Sequence, residues 1–253
     1  MGWFDSFASV SWMGVASAIG VFVLAGMVKG IVGLGLPTVA MALLALWMPP
    51  AQAAALLIVP SLLTNLWQMR PWSGLPALWQ RLAGMLVGVC AGTWAMAWWL
   101  GAPAGAWARP ALGVALIAYA AWALAGARVA VAARHERWLG PLAGLVTGAI
   151  TAATGVFVVP AVPYLQALGL QRDALVQAMG LCFTVSTIAL AVGLAAHAGL
   201  SVATLGGSTL LLAPALLGMA CGQWLRQRLS PVKFRRCMLG SLLLLGGYML
   251  VAA

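Results

Sequence analysis

Carboxylates are nearly missing from this 253-residue chain: Asp5, Glu136 and Asp173 are the only three. Each lies near a terminus or in a gap between apolar stretches, which argues against a carboxylate proton relay inside a membrane. Charged residues of both signs make up 6% of the chain, against about 25% in soluble domains, so a soluble globule is excluded. The four cysteines (Cys90, Cys182, Cys221, Cys237) form no CxxC pair and read as small packing residues. His135 and His197 have no ligand partner at useful spacing, so no metal site is expected. No GxSxG, HExxH or Walker sequence occurs, and no nucleophile–base pair is visible. The chain is therefore expected to have no catalytic residues and no cofactor. The first 28 residues hold no Lys or Arg, so no cleavable signal is expected. Met1-Gly2 with Ser6 fits a loose myristoylation pattern, which we read as chance.

What is abundant is apolar residue, 64% of the chain, in stretches long enough to span a bilayer. Ten segments fall at roughly 10–30, 36–48, 51–69, 82–100, 106–126, 139–152, 155–168, 174–196, 203–226 and 234–252. Three of them, 36–48, 139–152 and 155–168, are short for a span of about 20 residues. Thirteen tryptophans suit two interfaces. The net charge of +10 does not imply nucleic acid, because no basic run carries interleaved aromatics. Instead the basic residues sort by side. With ten segments, Arg70, Arg81, Arg128, Arg134, Arg137, Arg172, Arg226, Arg228, Lys233, Arg235 and Arg236 share one face, against Arg109 on the other and Lys29 at a break. The positive-inside rule makes that face cytoplasmic and puts both termini on the other side. Eight spans would split the basic clusters between the two faces.

The segments repeat. GMVKGIVGLGLPTV (Gly26 to Val39) and GLVTGAITAATGVFVVP (Gly144 to Pro160) each interrupt an apolar stretch, and Gly26, Val28 and Gly30 align with Gly144, Val146 and Gly148. Ala54 and Thr64 then align with Ala174 and Thr184, GVCAGTW (Gly88 to Trp94) with GMACGQW (Gly218 to Trp224), and Leu112-Gly113 with Leu239-Gly240. The expected fold is all-α and membrane-integral, an inverted-topology repeat of two five-segment halves. Each half begins with a broken or re-entrant Gly/Pro-rich helix pair, giving eight full spans plus short segments, or ten short spans. The halves cover 1–126 and 139–253, joined by a cytoplasmic connection at 127–138. An odd number of segments per half inverts one against the other.

Paired broken segments point to a transporter's binding site. Gly30, Gly33 and Gly35 precede Pro37, and Gly148 and Gly155 precede Pro160. Helix ends freed there turn N–H groups inward and can hold an anion. Gly84, Gly88, Gly92, Gly218 and Gly222 read instead as small-residue packing. Lys29 is the only basic residue in the first 69. It is read as the anion's positive partner, with snorkelling to the interface as the bland alternative. Its aligned residue is Thr147, so the two halves are not equivalent. Asn65, the only asparagine, lies with Thr64 and Gln68 in one apolar segment. Thr151 and Thr154 lie in the second break, and Thr184, Ser186 and Thr187 follow it. Any one of these can simply bond its own helix backbone.

KGIVGLGLPTVAMALLALWMPPAQAAALLIVPSLLTNLWQ (Lys29 to Gln68) resembles the first half-motif of the TauE/SafE family of sulfite and organosulfonate exporters. The stretch from Gly144 through Ser186 resembles the second, with Ala152, Ala153 and Thr154 where the family has a glycine cluster. The resemblance implies a bacterial inner-membrane, multi-pass transporter of small sulfur-containing or organic anions. The expected substrate contacts are Lys29, Gly33, Gly35, Asn65, Gln68, Thr151, Gly155 and Ser186. The expected partners are a small anion and the lipid bilayer, not nucleic acid, and a homodimer is compatible with this reading. A passive anion channel and a non-transporting accessory subunit are the alternatives.

Overall fold

A computed structural model describes residues 12–101, 107–126, 130–197, 200–228 and 230–252. Asp5, Arg128 and the Met1–Gly2–Ser6 pattern lie outside the described residues. Those residues form helices and no strand. In chain order they are α1 (Trp12–Val32), α2 (Leu36–Leu44), α3 (Pro50–Gln68), α4 (Leu75–Leu100), α5 (Ala108–Ala125), α6 (Ala133–Thr154), α7 (Ala161–Ala167), α8 (Arg172–His197), α9 (Val202–Leu210), α10 (Leu212–Arg226) and α11 (Pro231–Val251). Among the described residues seven stretches are long and apolar enough to cross a membrane: α1, α3, α4, α5, α8, α9 with α10, and α11. α6 is long enough, but its first turns carry Arg134, His135, Glu136 and Arg137, and threonine and glycine dilute the rest. It begins inside the stretch that the sequence reads as a connection. α2 and α7, with 9 and 7 residues, rise only about 14 and 10 Å and cannot span.

Each break has a local cause. α1 ends where Gly33 turns left-handed (φ 82°) and its N–H bonds Lys29 O at 2.8 Å. Gly155 (φ 70°) closes α6 in the same way on Thr151 O, at 2.8 Å. A left-handed residue at that position costs glycine nothing. Between α9 and α10, Pro214 has no N–H for Leu210 O, so the helix resets at Leu211. Pro60 inside α3 frees Leu56 O in turn. Ser208 of α9 repairs that gap. Its hydroxyl donates to Leu56 O at 2.8 Å and accepts the Val59 N–H at 3.1 Å. Such repair by a neighbouring helix is what makes proline tolerable in a membrane.

The helices meet through glycine. A Cβ on Gly26 or Gly30 of α1 would lie 2.1 Å from Ala215 O and 2.3 Å from Met219 O of α10. One on Gly144 or Gly148 of α6 would lie 2.0 Å from Met85 O and 2.2 Å from Val89 O of α4. Gly218 and Gly222 answer from α10, and Gly88 and Gly92 from α4, each against backbone. Gly88, Gly92, Gly218 and Gly222 are the ones assigned to packing from the sequence, whereas Gly26, Gly30, Gly144 and Gly148, read with the broken segments, pack here as well; both helix pairs run parallel. α5 and α11 meet through Gly113 and Gly246, where a Cβ on either would lie 2.8 Å from the other's carbonyl, whereas a Cβ on Gly240 would meet nothing. The end of α3 is pinned to the start of α8. Gln68 Nε2 donates to Val176 O (3.2 Å), and Gln177 Nε2 donates to Met69 O (3.3 Å) and Pro71 O. At the same end of the bundle, Arg81 of α4 grips Glu136 of α6 through two bonds, at 2.9 and 2.7 Å.

Replacing Ser208 by Ala strands two partly buried backbone groups and is expected to lower stability by about 1–3 kcal/mol. Thr209→Ala, which removes only an exposed bond to its own helix, is the control. Unfolding midpoints in detergent compare the two, and equal midpoints would refute the repair.

Candidate functional site: a buried ammonium at the floor of a cavity

Lys29 sits on the last turn of α1. Its side chain does not run to the interface. It is 5% exposed and turns into the bundle, where Nζ donates to Thr64 Oγ1 at 3.1 Å and to Asn65 Oδ1 at 2.5 Å. Both acceptors belong to α3. The Thr64 hydroxyl spends its own proton on Pro60 O, 2.6 Å away, so its lone pair is what faces the ammonium. Asn65 is fixed by the same logic. An ammonium only donates, so the amide oxygen must face it, and Nδ2 is left buried with no protein partner.

Among the described residues no carboxylate reaches Lys29. Among the described residues Arg81–Glu136 is the ion pair found. A buried ammonium held by two neutral oxygens is satisfied as a donor but uncompensated as a charge. It borders an open cavity of about 540 Å³, lined also by Gly33, Gln68, Val176, Gln223 and Arg226. The cavity opens toward the end of the bundle that carries Arg226. Its walls come from α1, α3, α8 and α10, and Trp67 forms part of its rim with Arg70 stacked on the indole at 4.3 Å.

The structure divides the residues expected from the sequence. Lys29, Gly33 and Gln68 line this cavity, and Asn65 holds the ammonium from behind. Gln68 lines it while bonding across to Val176. Gly35 does not reach the cavity; it is packed by Val28, Val39 and Met238. Gly155 lies elsewhere, against Met41 and Ala54. Thr151 is buried and bonds Thr147 O at 2.7 Å within its own helix. Ser186 is fully buried in α8. Thr64, Gln223 and Arg226 were not among the expected contacts. Thr64 stood beside Asn65 in the sequence reading; Gln223 and Arg226 sit at a helix end whose charges were read only as orientation signals.

The profile of the family described as "Sulfite exporter TauE/SafE" matches residues 18–249. The chain belongs to that family. TauE/SafE proteins are membrane transporters of the sulfite and sulfonate type, and membership together with the apolar helices makes this chain a multi-pass membrane protein. No curated protein and no solved structure matches it.

Asn65→Leu leaves the ammonium one partner short and is expected to cost about 2–3 kcal/mol. Adding Lys29→Met removes the stranded charge and should restore most of that loss. A double-mutant cycle on unfolding midpoints measures the coupling. If Asn65→Leu alone were neutral, the ammonium would have to leave the bundle in solution.

Proposed function

We propose that this TauE/SafE member exports a small oxyanion, sulfite or an organic sulfonate, by alternating access between two inverted halves. The observation that carries the reading is Lys29. It is a buried cation without a carboxylate partner, at the floor of a cavity wide enough for such an anion. The anion would take the charge of Lys29 and the amide donor of Gln223, both lining the cavity, while Asn65 holds the ammonium in place. A voltage, negative inside, moves one elementary negative charge outward with about 2.3 kcal/mol per 100 mV, so export needs no coupled cation.

Helix packing supports the inverted repeat. Exchanging the halves (α1 with α6, α2 with α7, α3 with α8, α4 with α9–α10, α5 with α11) carries the α1·α10 pair onto α6·α4. It carries α4·α8 onto α3·α9–α10, and returns α3·α8 and α5·α11 to themselves; all of these pairs are in contact. Basic residues support the sidedness. Arg81, Arg134, Arg137, Arg172 and Arg226 all sit at helix ends that share a face under this topology, which we assign to the cytoplasm of a bacterial inner membrane with both termini outside.

Purified protein in vesicles is expected to pass sulfite at a rate that rises with imposed voltage, saturates and shows counterflow. Lys29→Met should lower that rate at least about tenfold, as loss of one charge-assisted contact does. Flux without saturation or counterflow would indicate a channel, and no flux from purified protein with sulfite or sulfonates would favour an accessory subunit.

A further inference from the structure

The cavity at Lys29 has a collapsed counterpart. A void of about 10 Å³, roughly the space one water centre needs, is lined by Ser61, Leu57, Gly155, Thr187 and neighbouring apolar groups. Gly155 caps α6 there as Gly33 caps α1 beside the open cavity. Thr187 stands 120 residues after Trp67, by the offset that aligns Thr64 with Thr184. Leu57 adjoins the position that the same offset pairs with Val176. The two spaces therefore lie toward opposite ends of the α3·α8 seam, one open and one shut, and Thr187 is the direct repeat counterpart of a residue lining the open cavity.

Ser61 makes the void more than a packing defect. It is 1% exposed and its hydroxyl has no hydrogen-bond partner, although a buried hydroxyl without one is costly. It lies on α3 one turn before Thr64 and Asn65, so it is the next polar group beyond the Lys29 contacts.

One bond between α4 and α8 lies next to the void in the chain, since Ala189 precedes Leu190 of its lining. Trp94 of α4 donates its indole N–H to Ala189 O of α8 at 3.1 Å. Its repeat partner Trp224 carries Arg228 stacked on its face at 4.3 Å instead. Both rings are partly exposed; they differ in partner, a carbonyl of α8 for Trp94 and a guanidinium for Trp224.

We propose that Ser61, with Thr187 and Gly155 around it, is a second station for the oxyanion, by which it leaves on the face opposite Arg226. The inference rests on the exporter reading above. No Lys or Arg lines this station. The anion is held there by a neutral hydroxyl alone, and the Trp94–Ala189 bond must part for the station to open.

Two measurements test it. Ser61→Ala loses no bond, so it should leave the unfolding midpoint unchanged. It should lower maximal sulfite flux about tenfold, the effect of one hydrogen bond to a charged partner, without raising the half-saturating concentration on the Arg226 face. Unchanged maximal flux would overturn the proposal. The second measurement needs no substrate. With Cys90, Cys221 and Cys237 replaced by Ala and the buried Cys182 kept, Thr187→Cys should react with a charged, membrane-impermeant thiol reagent added to intact cells. Gln223→Cys should react only in inverted vesicles, and Trp94→Phe should speed the Thr187→Cys reaction. Labelling of Thr187→Cys from the Arg226 face alone, or from neither face while Gln223→Cys reacts, would also overturn it. If wild type carried no sulfite yet labelled as expected, the second opening would stand and the substrate assignment would fall.

Discussion

A charged side chain inside a bilayer costs about 2.5–3.5 kcal/mol on insertion scales, and Lys29 meets that cost with two oxygens of α3. Much of the surrounding architecture serves the same contact. α1 must bring its last turn against α3, so it must stop there, and Gly33 stops it. α3 must offer Thr64 with its lone pair outward, and the carbonyl of residue 60 one turn back arranges this by taking the Thr64 proton. The ring of Pro60 separately opens the ladder at Leu56, which Ser208 of α9 mends. The same turn of α3 thus serves the ammonium and joins the two halves of the chain.

Close approach of backbones supplies the frame. Without a hydrophobic drive between helices in lipid, packing contact and interhelical bonds must hold them. The glycines of α1 with α10, and of α6 with α4, let carbonyls reach positions a Cβ would occupy. Two parallel pairs built alike make two stiff units. Between them run α3 and α8, joined at one end by Gln68 and Gln177 and carrying the buried polar groups. A bundle of this kind has a natural place to give: the contacts between the central helices and each stiff pair. Trp94 bridges one such contact, and at the other the chain encloses the open cavity instead.

Much of this was legible in the residues. The all-helical membrane character, several of the packing glycines and the glycine breaks at Gly33 and Gly155 follow from hydropathy, spacing and the properties of glycine and proline. Lys29 and Asn65 stood out because each is rare where it lies, and the structure bonds them directly. The failures are as instructive. Gly35 shares the motif of Gly33, but only the cap borders the cavity; a pattern of glycines does not say which of them faces space. The breaks at Gly33 and Gly155 were expected to share one site. They border different spaces, because α1 stops beside Thr64 near the end of α3 and α6 beside Ala54 near its start. Arg226 and Gln223 were invisible as cavity residues, since a basic helix end carries the same sequence signal whether it faces lipid headgroups or a vestibule.

A fixed cation attracts an anion but can also trap it. At about 4 Å and an effective dielectric of 20 the attraction approaches 4 kcal/mol, too much to surrender at every turnover unless something competes. Thr64 and Asn65 are that competition. They already satisfy the ammonium, so an arriving oxyanion gains only the difference between its own hydrogen bonds and theirs, plus the charge term. When it leaves, the ammonium falls back on neutral oxygens rather than on bare hydrocarbon. A carboxylate in their place would neutralise Lys29 and repel the substrate, and an apolar residue would leave the empty site unstable. Neutral acceptors therefore suit a carrier that must bind and release the same charge, and the near absence of acidic residues in the sequence is consistent with that requirement.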